Sequence, residues 1–200
     1  MPRPIQPPSE LTQMLTALAA GDRVSEREFD LIFPSEVRKF SRTHWTPLAA
    51  ALRAAQLLAP NPGARVLDVG SGCGKLCLIS ALTTKGQFTG IEQDRDFAAT
   101  ATSIAKLHRI PRVQFIAGDA LERDWSKYES LYLFNPFANH VENEAEFLRI
   151  VEKVTQKLAS LGPATRVVTY HGFGGQMPST FVQELAEAIG PGILQLWVKR

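Results

Sequence analysis

The sequence predicts an α/β protein with a doubly wound, mostly parallel sheet, helices on both faces and an N-terminal helical extension. Three observations carry this. Residues 65–75, Arg65-Val66-Leu67-Asp68-Val69-Gly70-Ser71-Gly72-Cys73-Gly74-Lys75, read as a short buried strand, a turn almost free of side chains and the start of a helix. From there strand-like and helix-like stretches alternate to the end of the chain, which indicates parallel strands with right-handed crossovers. Several of these strands end in a polar residue, Asp68, Glu92 or Asn135, and Asp119 follows shortly after another.

Taken in order, Pro2, Pro4, Pro7 and Pro8 exclude a helix from the first residues. Ser9 caps a helix running to Ala20, and Gly21 ends it. Ser25-Glu26-Arg27-Glu28 forms a capping box before Phe29, Leu31 and Ile32, and Pro34 stops that short helix. Residues 1–45 are therefore expected to form a tail and a helical flank or lid, and residues 46–200 a cofactor-binding domain. Thr46-Pro47 starts a helix to about Ala59, with Pro47 at the first helical position. Pro60-Asn61-Pro62-Gly63 turns the chain into the first strand. Strands are expected at 65–69, 87–91, 113–117, 130–134 and 166–170, with a last one at 194–198. Helices are expected at 74–84, 95–108, 143–160 and 179–189. That makes six strands; either the sheet lacks a seventh, or it lies between Gly172 and Ser179.

Composition narrows the class. Two hundred residues, 44% apolar and 21% charged, suit one domain with an extension and a real core. A net charge of +2 makes no argument for nucleic acid. The local run of Arg38, Lys39, Arg42 and Arg53 reads as a solvated face. Cys73 and Cys77 cannot close a structural zinc site, which takes four ligands, nor do they form Cys-x-x-Cys. They read as small buried thiols in a reducing, cytoplasmic compartment. The proline-rich start has no apolar run of a signal peptide. No stretch reaches the roughly 18 apolar residues of a membrane span.

A strand, a glycine turn and a helix N-terminus let a ligand lie on bare backbone, which points to a nucleotide-like cofactor. The phosphate loop fails: Val69 stands where its first glycine belongs and Leu76 where it needs a hydroxyl. The dinucleotide fingerprint is weakened because Lys75 stands where it needs glycine or alanine. Asp68-Val69-Gly70-Ser71-Gly72-Cys73-Gly74 instead resembles the first motif of the class I S-adenosylmethionine-dependent methyltransferases, which are Rossmann-like. That resemblance implies strand order 3-2-1-4-5 plus a terminal strand. It also implies that Asp68 meets the amino-acid end of S-adenosyl-L-methionine, while Gly70, Ser71, Gly72 and Gly74 offer it backbone. Gln87-Phe88-Thr89-Gly90-Ile91-Glu92 is similar to the second motif, with Glu92 as ribose acid and Gln93 beside it. Asp94 reads as the cap of the next helix. Val113 to Ala120 resembles the third motif, which implies adenine contacts from Asp119 and the backbone of Ala120.

Leu131-Tyr132-Leu133-Phe134-Asn135-Pro136-Phe137 ends a buried strand where such sheets bind ligands. It resembles the Asn-Pro-Pro-aromatic motif of methyltransferases acting on planar nitrogen, with one proline in place of two. The resemblance implies Asn135 and Phe137 as acceptor-side residues. Thr46 has two readings, a helix cap or a contact to the methionine end of the cofactor, and in the second His44 and Trp45 lie over the pocket. Trp45 and Phe134, with Phe137, would then exclude water beside the sulfonium. His140 and His171 follow strand ends; each is either structural or a base for a hydroxyl acceptor. No metal-ligand spacing links the four histidines. The chain is thus expected to be a methyltransferase whose acceptor is a small molecule or a protein side chain, nitrogen favoured over oxygen. A non-catalytic S-adenosylmethionine-binding or regulatory domain and an NAD(P)-dependent oxidoreductase are the alternatives.

Overall fold

A computed structural model describes residues 9–41, 45–135 and 143–200. Among them the elements run α1 (Glu10–Ala20), α2 (Glu26–Asp30), α3 (Ser35–Arg38), α4 (Leu48–Leu58), β1 (Arg65–Val69), α5 (Lys75–Thr83), β2 (Gln87–Glu92), α6 (Arg95–Leu107), β3 (Val113–Ala117), β4 (Ser130–Leu133), α7 (Glu144–Ser160), β5 (Arg166–Tyr170), β6 (Phe181–Ile189) and β7 (Gly192–Lys199). Helix ends follow their local chemistry. Ser9 caps α1, and Gly21 closes it in the left-handed region at φ 87°. Ser25 and Glu28 form a reciprocal capping box on α2. Asp94 accepts from Asp96 and Phe97 at the start of α6, which makes it a cap.

The seven strands form one sheet in the order β3-β2-β1-β4-β5-β7-β6. β1 pairs in parallel with β2 and β4, so Val69 lies between Ile91 and Leu133. β3 and β5 extend the parallel part on either side. Period-two alternation assigns side chains to the two faces. Val66 and Tyr132 join a core with α1, α4 and α5, while Leu67, Val69, Leu131 and Leu133 join a second one with Val154 and Leu158 of α7.

The expected helix over 179–189 is a strand, and it supplies the seventh one. It does not lie between Gly172 and Ser179. The stretch Gln183-Glu184-Leu185-Ala186-Glu187-Ala188 has good helix formers, so local propensity favours a helix. Tertiary pairing overrides it: β6 runs antiparallel to β7, which pairs antiparallel with β5. Ile189 faces Gly192 across the two-residue loop Gly190-Pro191. Gly190 takes φ 60°, the freedom that a tight hairpin loop asks of its first residue. Arg53 of α4 then clamps β6 with two hydrogen bonds to Glu187, at 2.8 and 2.7 Å.

The described flank packs into the main body. Leu15, Leu18, Phe29, Ile32 and Phe33 are buried in the same core as Leu48, Leu58, Val66 and Phe88. No helix among the described residues is long and apolar enough to cross a membrane.

Candidate active site

The glycine turn joins β1 to α5 at the C-terminal end of the parallel strands. Gly70, Gly72 and Gly74 have φ 72°, 54° and 81°, which side-chain-bearing residues adopt only with strain. Gly70 and Ser71 both donate to the carbonyl of Ile91, at 2.9 and 3.0 Å, and so hang the turn on β2. A Cβ on Gly74 would lie 2.4 Å from the Phe115 ring, whereas one on Gly72 would meet nothing within 4 Å. Gly74 is thus demanded by packing, and Gly72 leaves open space above the backbone. Gly74 is the N-cap of α5 and offers no side-chain hydrogen bond to its first amides. Those N–H groups and the helix dipole suit a carboxylate.

Glu92 is buried, and its carboxylate is aimed at the turn. One oxygen accepts the amide of Gly72 at 2.7 Å, and the other the amide of Asp94 at 2.9 Å. Each oxygen keeps accepting capacity for a further donor such as a ribose hydroxyl. Gln93 beside it is exposed. Asp119 follows β3, whose end is tied to β2 by the Gly118 amide on the Glu92 carbonyl at 2.8 Å. One Asp119 oxygen caps a single 3₁₀ turn at Leu121, also at 2.8 Å. Ala120 is buried, and its carbonyl accepts from the Trp125 indole at 2.8 Å. Asp68 is buried beneath the turn, where the Cys77 thiol donates to it at 3.5 Å. Burial pushes its pKa from 3.8 to about 7, with the Glu92 charge adding to the rise and the thiol opposing it. Cys73 is buried as well; burial first, then Glu92 and Asp94, push its thiol up to about 12.

Asn135 closes β4 exposed, with φ 40°, and its amide donates to the Gly172 carbonyl at 2.8 Å. His171, at the end of the adjacent β5, is also exposed and left-handed, at φ 61°. Two non-glycine residues in sparsely populated backbone conformations thus stand side by side at strand ends. Such strain gathers at functional sites. Phe134 stacks on His171 at 5.5 Å and meets Tyr170 edge-on at 5.3 Å. Phe137, His140 and His44 lie outside the described residues.

Two sequence expectations change. Thr46 is not the cap of α4: that position is Pro47, without a side-chain bond. The Thr46 hydroxyl is buried against the Tyr132 phenol at 2.9 Å, a partner 86 residues away that no local pattern signals. Trp45 is a core residue and not an open pocket wall, because Phe33 packs on it at 4.6 Å and the Lys75 ammonium lies 5.5 Å from its ring. Sequence reasoning also passed over Gly90. Its Cβ would lie 2.6 Å from the Ser71 hydroxyl and 2.7 Å from Phe115, so bare backbone there lets the turn sit on β2. A glycine inside a strand was the available signal. Among the described residues no cluster of three or more histidine, cysteine or acidic side chains is placed to hold a metal.

A family model described as a methyltransferase domain matches residues 60–162, from the turn before β1 to the end of α7. The chain belongs to this methyltransferase domain family. The match spans the glycine turn, both acids after it and the Asn135 strand end. The methyltransferase domain has the fold of solved relatives at low identity. An RNA methyltransferase from Salinibacter ruber in complex with S-adenosyl-L-homocysteine is 21% identical with a TM-score of 0.57, covering 78% of this chain and 93% of that one. The putative methyltransferase yhhF from Escherichia coli is 16% identical with a TM-score of 0.60, covering 77% and 86%. A mutant of MtNAS in complex with S-adenosylmethionine is 14% identical with a TM-score of 0.58, covering 94% and 72%. No curated protein matches the chain.

Proposed function

We propose that this methyltransferase domain binds S-adenosyl-L-methionine across the ends of β1, β2 and β3 and transfers its methyl group to an acceptor held beside Asn135. The observation that carries the cofactor reading is the charge of the cradle. Asp68, Glu92 and Asp119 supply three carboxyl groups at one end of the sheet. The cation in that part of the chain, Lys75, is buried and paired with Glu26 and Asp30. An ammonium or sulfonium finds complementary charge on these carboxyl groups. The open space over Gly72 and the uncapped start of α5 add room and donors for the methionyl carboxylate.

Bound there, the cofactor supplies an already activated methyl group, which an acceptor nitrogen or oxygen attacks in line as a neutral thioether departs. The chain's own part is to position. Glu92 receives the ribose hydroxyls, Asp119 and the backbone of Ala120 the adenine, and Asp68 the amino group. Asn135 orients the acceptor, and Phe134 and His171 form an aromatic ledge next to it. Well-oriented reactants gain roughly 7–11 kcal/mol from proximity, so no strong acid or base is required for an amine acceptor. A nitrogen acceptor is favoured, in a small molecule or a protein side chain, within a reducing cytoplasm. A hydroxyl acceptor would call on His171 or His140 to take its proton.

Transfer of label from methyl-labelled S-adenosylmethionine into a cell extract is the test. A labelled product that falls at least about tenfold with Asn135→Gly is expected. Tight binding of S-adenosylhomocysteine with no labelled product would favour a non-catalytic binding domain, and preferential binding of NADH would overturn the cofactor reading.

A further inference from the structure

The sheet has two outer strands, β6 and β3, and the chain treats them differently. An outer strand presents a row of N–H and C=O groups with which a second chain can pair. β6 is blunted: its register shifts between Gln183 and Leu185, and Glu184 and Glu187 put charge on it. β3 is not. Val113-Gln114-Phe115-Ile116-Ala117 has no charge, no proline and no break in register, and each of its residues is at least partly exposed. The Arg112 carbonyl accepts the Phe88 amide at 2.9 Å, and the Gly118 amide donates to the Glu92 carbonyl at 2.8 Å. Successive residues aim these groups to opposite sides of a strand, so Val113, Phe115 and Ala117 direct theirs away from β2. Among the described residues no strand takes them up.

Each face of this edge carries a cavity of about 420 Å³. On the α6 face, Ala105, Ile110, Val113 and Phe115 give it an apolar lining bordered by Lys106 and Arg109. On the opposite face, the connection to β4 holds no α-helix, only the 3₁₀ turns Ala120–Glu122 and Trp125–Lys127. The cavity there is polar, with Gln87 and Gln114 among Arg65, Arg112 and Lys127. Arg65 is paired with Glu129, and Lys127 lies 3.9 Å from Asp124. Lys106, Arg109 and Arg112 make no ion pair among the described residues. Arg112 donates instead to the carbonyls of Ala81 and Thr84, at 2.8 and 3.0 Å, which leaves its charge without a carboxylate.

We propose that the β3 edge is a docking site for an extended segment of another protein, one that alternates apolar and acidic residues. Added beside β3, such a segment pairs its backbone with Val113, Phe115 and Ala117. Its alternate side chains fall on the two faces, apolar ones in the α6 cavity and carboxylates on the Arg112 side. Charge selects this occupant. Cations border both cavities, and the three without a carboxylate partner leave a positive field at the start of the strand. A second copy of this chain has no acid within its own Val113–Ala117 to offer them. Docking here needs nothing bound at the glycine turn, so the inference stands apart from the cofactor reading.

The test is fluorescence anisotropy on the full chain with a labelled peptide of alternating leucine and glutamate. Binding should saturate, weaken as salt is raised, and protect the amides of Val113, Phe115 and Ala117 from hydrogen exchange. Lys106→Glu/Arg109→Glu should weaken it about tenfold through lost charge complementarity. Both residues are exposed, so this variant keeps its fold. Ala117→Pro removes one outward N–H, leaves the bonds to β2 in place and should also cost about tenfold. No binding by the wild type, equal binding of a leucine–lysine peptide, or undiminished binding by the charge-reversed variant would overturn the proposal. So would sedimentation showing a dimer that Ala117→Pro dissolves, which would give the edge to a second copy. An oligouridylate that binds and displaces the peptide would overturn it too, by making the basic border a nucleic-acid surface.

Discussion

The carboxylate of Glu92 accepts the amide of Gly72 at 2.7 Å, joining the end of the second strand to the middle of the glycine turn. This bond makes the acid part of the turn's own architecture, and it holds the carboxylate facing the space above bare backbone. Glu92→Ala removes a buried acceptor from two amides and, if Glu92 receives the ribose as proposed, two charge-assisted bonds to it. At roughly 1.5–3 kcal/mol for each such bond, affinity for S-adenosylhomocysteine should fall at least 10- to 100-fold. Calorimetry on the folded variant checks this, and undiminished affinity would take the ribose role from Glu92.

Gly90→Ala tests the seat of the turn. The new methyl would lie 2.6 Å from the Ser71 hydroxyl and 2.7 Å from Phe115, so one of the two must shift. Overpacking of this kind costs about 1–3 kcal/mol. A melting temperature lower by roughly 3–10 °C is expected for a domain of this size, together with weaker cofactor binding because the turn is displaced. A variant with native stability and affinity would mean that Ser71 can rotate away.

Asp68 gives a pH dependence with a definite sign. Its folded-state pKa of about 7 lies above the ordinary 3.8, mainly through burial. Between those values the folded protein holds a proton that the unfolded chain has lost. Its contribution to stability is therefore greatest below 3.8, falls as pH rises towards 7 and is level above that. Cofactor affinity should run the other way. The methionyl ammonium favours the charged carboxylate, so binding should strengthen from pH 6 to pH 8. Asp68→Asn should flatten both trends in paired denaturation and binding titrations. A persistent slope in the binding titration would assign it to another group.

Asn135→Gly separates chemistry from backbone strain. Glycine accepts φ 40° freely, so the fold and cofactor affinity should be retained or slightly improved. Methyl transfer should drop by at least about tenfold, the scale of one lost orienting hydrogen bond. Single-turnover transfer to the acceptor found in the extract measures it. Full turnover would remove Asn135 from the site.

Much of the parallel half of the fold was legible in the residue pattern. Val66 to Val69, Val113 to Ala117 and Arg166 to Tyr170 are strands at the expected positions, because short apolar runs bounded by turn residues have few other buried solutions. Asp94 and Ser25 behave as caps because capping is a contact between near neighbours in sequence. Phe181–Ile189 defeated the same logic. Its residues favour a helix, and only pairing with β7, itself held by β5, makes it a strand.

At the candidate site the division is similar. The glycines of the turn and the acids at the strand ends are visible in sequence, because backbone approach requires glycine and a strand end is a local event. The partners of Thr46, Trp45 and Lys75 are not. Tyr132 lies 86 residues from Thr46, and Asp30 lies 45 from Lys75. The sequence by itself determined an alternating α/β chain with an acid-lined backbone cradle. Only the tertiary structure decided that Lys75, beside that cradle, would spend its charge on Asp30 and Glu26, because burial and long-range pairing exist only once the chain has closed on itself.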